Sequence, residues 1–357
     1  MVEKEFLEMK KTILNSMAVA LGAAMLAGCG GQQGGGDAPK KDGAAVPVAP
    51  GKKIKVCFLP KLKGIPYFTS CNTGAEEAAK ELGDVELIYD GPTEGSAEKQ
   101  AAMIEKWTLQ KVDVIAVSPN APDVLEKAMT EARKAGIKVL TWDADGTKDS
   151  RDLFVNQATA EAIGFGMVDA MAKDLGGDAA EGEVAIISSS PTSANQNSWI
   201  EPMKKRLEEK YPKLKNVTIK YPGEDQKQAL QDAQDLIKAY PNLKGLFGIS
   251  SVAFPGAAEG VKQAGKGGTV LVTGLSTPNA MKGYIKEGVV KSVVLWNTKD
   301  LGYLTIQIAE ALATGKLKAG DTSFKAGRLG EKKIVGDNVM LGDALIFTKD
   351  NIDQFDF

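Results

Sequence analysis

The chain has 357 residues, 43% of them hydrophobic, and a formal charge of −2 with acids and bases interspersed. That length provides for two compact domains, and without a clustered basic face nothing points to nucleic acid. There is no histidine, which excludes Ser-His-Asp and Cys-His nucleophiles and the commonest zinc ligand; the expectation is a protein that is not an enzyme and uses no cofactor or metal.

From Met9 the chain reads MKKTILNSMAVALGAAMLAGC. Lys10 and Lys11 form a positive start, and a short apolar stretch of 13–26 ends in small residues. This is the pattern of a secretory signal rather than a membrane-spanning helix. The acidic MVEKEFLE before it does not suit such a start, so Met9 is expected to be the true first residue. Leu26-Ala27-Gly28-Cys29 resembles the lipobox of bacterial lipoproteins, which implies lipidation at Cys29 and a signal peptide of 1–29. Residues 30–51, rich in Gly, Pro and Ala, read as a flexible tether. The folded body is thus expected outside the cytoplasmic membrane, in the periplasm or at the cell surface. No later apolar run reaches the roughly 18–20 residues of a membrane span.

From residue 54 short apolar runs alternate with helix-period stretches. IKVCFL is the first strand, then helix 69–82, VELIY, helix 97–109, VDVIAVS, helix 124–135 and IKVLTW. After DADGTKDSRD come helix 160–175, EVAIISS, helix 197–210, VTIKY, helix 226–239, KGLFGIS, helix 253–264, TVLVTGL, helix 278–286, VKSVVLW and helix 301–314. Strands joined by single helices build parallel sheets through right-handed crossovers. The expectation is an α/β chain of two doubly wound lobes. Of the three cysteines, Cys57 and Cys71 read as free thiols.

Ligands of such sheets sit outside the carboxyl ends of the strands. That rule selects Lys61, Ser118, Asp143, 189–196, Ile249 to Ser251, Ser276 and Asn297. Tyr67 and Phe68 offer aromatic faces to sugar C–H groups, or serve as a core staple. Asn195 and Gln196 carry paired donors and acceptors that fix hydroxyls, although one of them also suits a helix cap. Asp143 and Asp145 lie two apart and point to opposite faces, so an acid/base pair is not expected. Asp145-Gly146 reads as a turn, and Trp142 as a residue at the edge of the cleft or in the core. GVKQAGKG at 260–267 lacks the Ser or Thr of a phosphate loop and ends a helix instead of opening one.

The stretches PKLKGIPYFTS, YDGPTE, KVLTWDAD, SSPTSANQNSW, LSTPNAM, VVLWN and IFTKDNIDQFDF resemble the type 1 periplasmic solute-binding proteins of bacterial ABC importers, in the autoinducer-2-binding and rhamnose-binding branch. The resemblance implies two lobes on a multi-strand hinge, with 52–155 and 298–326 in one and 156–297 and 327–357 in the other. It implies a monosaccharide-sized ligand between them, a permease as partner, and a monomer. The ligand-contacting Lys, first Asp and Gln of autoinducer-2 receptors match Lys61, Asp143 and Gln196. Their second Asp falls on Asn195, and their Pro and Ala fall near Ile249 and Ser251. Losing that carboxylate favours a neutral sugar such as rhamnose or a pentose, with autoinducer-2 the alternative.

Overall fold

The computed structural model describes residues 52–318 and 320–357. The expected signal peptide, the tether and Cys29 lie outside the described residues.

The first lobe is built from β1 (Ile54–Leu59), α1 (Pro66–Leu82), β2 (Val85–Tyr89), α2 (Ala97–Leu109), β3 (Val114–Val117), α3 (Pro122–Lys134), β4 (Lys138–Trp142) and β5 (Leu153–Asn156). The central strands are apolar without alternation because helices cover both faces of a parallel sheet. All four residues of β3 are buried. Proline, whose missing N–H costs nothing in a first turn, opens α1 and α3. Ser96 caps α2 by accepting from the Lys99 N–H.

The second lobe runs through α4 (Ala160–Asp174), β6 (Gly182–Ile187), α5 (Ala194–Lys210), β7 (Leu214–Lys220), α6 (Gln226–Ala239), β8 (Leu243–Gly248), α7 (Ala253–Gln263), β9 (Leu271–Gly274), α8 (Pro278–Lys286) and β10 (Val290–Leu295). The chain then returns through α9 (Thr298–Thr314), β11 (Ser323–Lys325), β12 (Glu331–Val335) and β13 (Asn338–Met340), and finishes with β14 (Leu345–Phe347). One sheet has the order β11-β12-β13-β5-β4-β3-β1-β2 and the other β14-β10-β9-β8-β6-β7. The chain crosses between them at 157–159, 296–297 and 341–344.

One expectation is corrected. Residues 327–357 do not all belong to the second lobe. β13 pairs in parallel with β5, β12 pairs with β13, and only β14 joins the second sheet. The two α/β lobes are as expected, with antiparallel strands only toward one end of each parallel sheet, where β11, β12 and β14 pair. Arg151 fastens this late segment. Its side chain is 1% exposed and holds Asp145 through Nε and Nη2 at 2.6 Å each, while Nη1 reaches Asp337 in the β12–β13 turn at 2.8 Å. Asp145 is therefore an ion-pair partner as well as a turn residue.

Helices α1 and α9 meet backbone to backbone. A Cβ on Gly74 would stand 1.7 Å from the Lys299 carbonyl oxygen, and one on Gly302 1.8 Å from that of Cys71. Only glycine fits either position. Trp142 is core rather than cleft edge: it has no exposed surface and stacks on Phe58 at 4.2 Å. Cys57 and Cys71 are buried free thiols. Burial pushes the Cys57 thiol up to about 12, which leaves it unreactive.

Candidate functional site

At the carboxyl end of β4 the chain makes a three-residue turn. The Ala144 N–H donates to the Trp142 carbonyl at 2.6 Å, and Asp143 between them has φ +62. Such a conformation is strained for a residue with a Cβ, and strain of this kind clusters at functional sites. Asp143 lines a cavity that is partly open to solvent.

Asp143 is 4% exposed and is held from several directions. Tyr67 donates to its Oδ1 and Ser118 to its Oδ2, each at 2.7 Å. Gln157, at the first crossing between lobes, donates to its backbone carbonyl at 2.9 Å. Trp296, at the second crossing, donates its Nε1–H to the Tyr67 hydroxyl at 3.1 Å. The carboxylate is thus the end of a relay that starts between the lobes. Two oxygens carry about four lone-pair sites, so acceptor capacity remains for a ligand. Burial, then the Asp143 charge, hold the Tyr67 hydroxyl well above its ordinary value, so it stays a donor.

The opposite wall comes from the start of α5. That helix begins at Ala194, three residues before the predicted start, so Asn195 and Gln196 are in its first turn and neither is the cap. The Gln196 Oε1 accepts from the Ser188 hydroxyl at 2.6 Å, the Ser189 N–H at 2.7 Å and the Ser189 hydroxyl at 2.9 Å. These bonds fix the amide. Its Nε2 donors, unpaired among the described residues, are left to the cavity. Asn195 is arranged alike: its Oδ1 accepts from the Gln196 N–H at 2.9 Å and from the Lys61 ammonium at 2.8 Å. Lys61 also donates to Ser193 at 3.3 Å, so this first-lobe side chain spans the cleft. Burial lowers its pKa, against the pull of Asp143 and Glu224.

Of the ten residues predicted for the site, Lys61, Tyr67, Phe68, Asp143, Asn195, Gln196, Ile249 and Ser251 line the cavity. Two do not. Asn297 caps α9 by accepting from the Asp300 N–H, and Ser276 donates to the Ser251 carbonyl at 3.0 Å. At both strand ends the prediction falls one residue late, because the preceding Trp296 and Leu275 line the cavity. Trp199 and Glu224 line it as well. Trp199 lies one helical turn beyond Gln196, on the same face. Glu224 follows β7, whose carboxyl end the strand-end rule also covers. Tyr67, Phe68, Trp199 and Trp296 make an aromatic wall, with Tyr67 and Phe68 edge to face at 5.0 Å and Trp199 and Trp296 at 6.1 Å. Among the described residues no group of three or more His, Cys, Asp and Glu side chains is placed to hold a metal ion.

The sequence of residues 56–317 matches the family model for the periplasmic binding protein domain. The D-allose-binding periplasmic protein of Escherichia coli strain K12 is 27% identical over 264 residues, 71% of this chain and 82% of that protein. Two solved structures are similar throughout. LsrB from Clostridium saccharobutylicum in complex with AI-2 is 28% identical, with a TM-score of 0.81, covering 85% of this chain and 100% of that one. A solute-binding protein of Clostridium phytofermentas with bound L-rhamnose is 30% identical, with a TM-score of 0.80, covering 85% and 98%.

Proposed function

The chain belongs to the periplasmic binding protein domain family, and on that premise we propose that it is the extracytoplasmic binding component of an ABC importer. It captures a neutral monosaccharide, rhamnose-like or a pentose, in the cavity between its lobes and delivers it to the permease. One observation carries this reading: an anchored carboxylate on one wall faces two anchored amides on the other, with aromatic faces between them. A sugar offers the complement, hydroxyls that donate to Asp143 and accept from Asn195 and Gln196, and C–H faces that pack on rings. The relatives named for D-allose and L-rhamnose support the ligand class.

Each of these groups binds and orients; none is arranged to move a proton or attack a bond. Ligand touching both walls favours the state in which the lobes approach, since that state makes more contacts. Lipidation at Cys29 would hold the protein at a membrane surface, and replacing Cys29 with Ser should move the protein from the membrane to the soluble fraction. Autoinducer-2 is the second reading, favoured by the fold shared with the LsrB complex.

Calorimetry against L-rhamnose, D-arabinose, D-ribose, D-allose and autoinducer-2 tests both readings. A neutral sugar should bind at micromolar dissociation constant or tighter, about −8 kcal/mol. If none of the five binds more tightly than about millimolar, the transport reading fails.

A further inference from the structure

We propose that Glu224 is a ligand-contacting, specificity-determining residue: its carboxylate and that of Asp143, one from each lobe, accept two different hydroxyls of one neutral, polyhydroxylated ligand. The inference rests on the sugar-binding reading and names the side chain that replaces the carboxylate missing at Asn195.

Glu224 lines the same cavity as Lys61, Asp143 and Asn195. Its Oε2 is sealed from solvent and has no hydrogen-bond partner among the described residues. More than nine in ten buried polar groups find a partner, so an unpartnered acceptor on a residue that lines the cavity marks where a donor belongs. Lys61 is not that donor. Its ammonium is engaged by Asn195 and Ser193, and no Lys61–Glu224 ion pair forms within 4.0 Å among the described residues. Burial raises the carboxyl pKa of Glu224; Lys61 and Ser189 oppose the shift and Asp143 adds to it. A hydroxyl donated to the ionised form would favour that form, so binding should release protons.

The arrangement also defines what is refused. Two carboxylates and one engaged ammonium face the cavity, so a carboxylate- or phosphate-bearing sugar would meet like charge in a poorly solvated site. The ligand class is therefore a neutral ring with hydroxyls on two sides, not a sugar acid or a sugar phosphate.

The test titrates the unsubstituted chain, Glu224→Gln and Glu224→Ala with L-rhamnose, D-arabinose, D-ribose, 2-deoxy-D-ribose and D-glucuronate. Calorimetry is run in two buffers of different ionisation enthalpy. For the sugar that binds, Glu224→Gln should weaken affinity at least tenfold and remove the proton release, while thermal melting without ligand shows the variant folded. D-glucuronate should bind at least a hundredfold more weakly. If Glu224→Gln binds the sugar as tightly as the parent with the same proton release, the inference is overturned and the sugar-binding reading stands. If D-glucuronate binds best, the charge argument is overturned. If the unsubstituted chain binds none of the neutral sugars, the underlying reading falls and takes the inference with it.

Discussion

The two walls of the cleft are built on opposite principles. On the first lobe, Asp143 is an acceptor held in place before any ligand arrives, by Tyr67, Ser118 and the carbonyl contact from Gln157. On the second, the acceptor atoms of Asn195 and Gln196 are already engaged, and their donors are left to the cavity. A hydroxylated ligand therefore meets a wall that takes hydrogen bonds and a wall that gives them, and its orientation follows from that polarity. Fixed dipoles cost little further ordering when the ligand binds, which is how a small contact area reaches useful affinity.

The largest expected effect comes from removing the fixed acceptor. Asp143→Ala leaves the Tyr67 and Ser118 hydroxyls without their acceptor and deletes the ligand contact. At about 1–3 kcal/mol for each unpaired group, sugar affinity should fall a hundredfold or more by calorimetry. Retained affinity would make Asp143 a structural residue and dissolve the contrast between the walls. Next is Arg151→Ala, which strands Asp145 and Asp337. Breaking a buried pair costs several kcal/mol, but both acids are about a third exposed, so about 2 kcal/mol of stability is expected in urea unfolding. The second wall should respond more mildly. Gln196→Glu retains the acceptor for Ser188 and Ser189 but loses the donor, and about a tenfold weaker affinity is expected. If it matches Asp143→Ala, the walls are equivalent.

The smallest effect is a pH dependence. The carboxyl of Glu224 is raised in the folded chain. A raised group contributes stability that is full below its unfolded value and declines as pH rises through its folded value. Glu224→Gln removes that decline, so the ligand-free variant should gain melting temperature over the parent at neutral pH and lose the advantage near pH 4. An unchanging difference across that range would mean that Glu224 is not raised.

Most of the α/β alternation was legible in the sequence, because buried parallel strands are apolar runs and their helices are amphipathic; helices 226–239 and 278–286 were read to the residue. The strands without a visible period are short. β11, β13 and β14 have three residues each, too few to display a period, and they draw stability from partners far away in sequence. One signal was available. Gly336-Asp337 between EKKIV and NVM is a two-residue hairpin connection, with Gly336 at φ +65. Lys61, Asp143 and Gln196, which line the cavity, are marked in the sequence by resemblance and strand-end position together. Asn297 resembles a ligand contact more than Trp296 does because it is a polar residue after a strand, whereas in the structure it is a helix cap. Glu224 stands four residues beyond the end of β7, in a polar loop that carries no motif. Its unpartnered oxygen is a property of packing that no sequence displays.

The glycine contact between α1 and α9 has a mechanical consequence. Helix α9 starts directly after the second crossing between the lobes, and α1 carries Tyr67 and Phe68 in its first turn. With Gly74 and Gly302 bringing the two backbones together, these helices have no soft layer of side chains in which to slip. Their contact ties the second crossing, where α9 starts, to the aromatic wall, where α1 starts. An alanine at either glycine would have to drive the two backbones apart, and the aromatic wall would shift with α1 although no cavity side chain had been replaced.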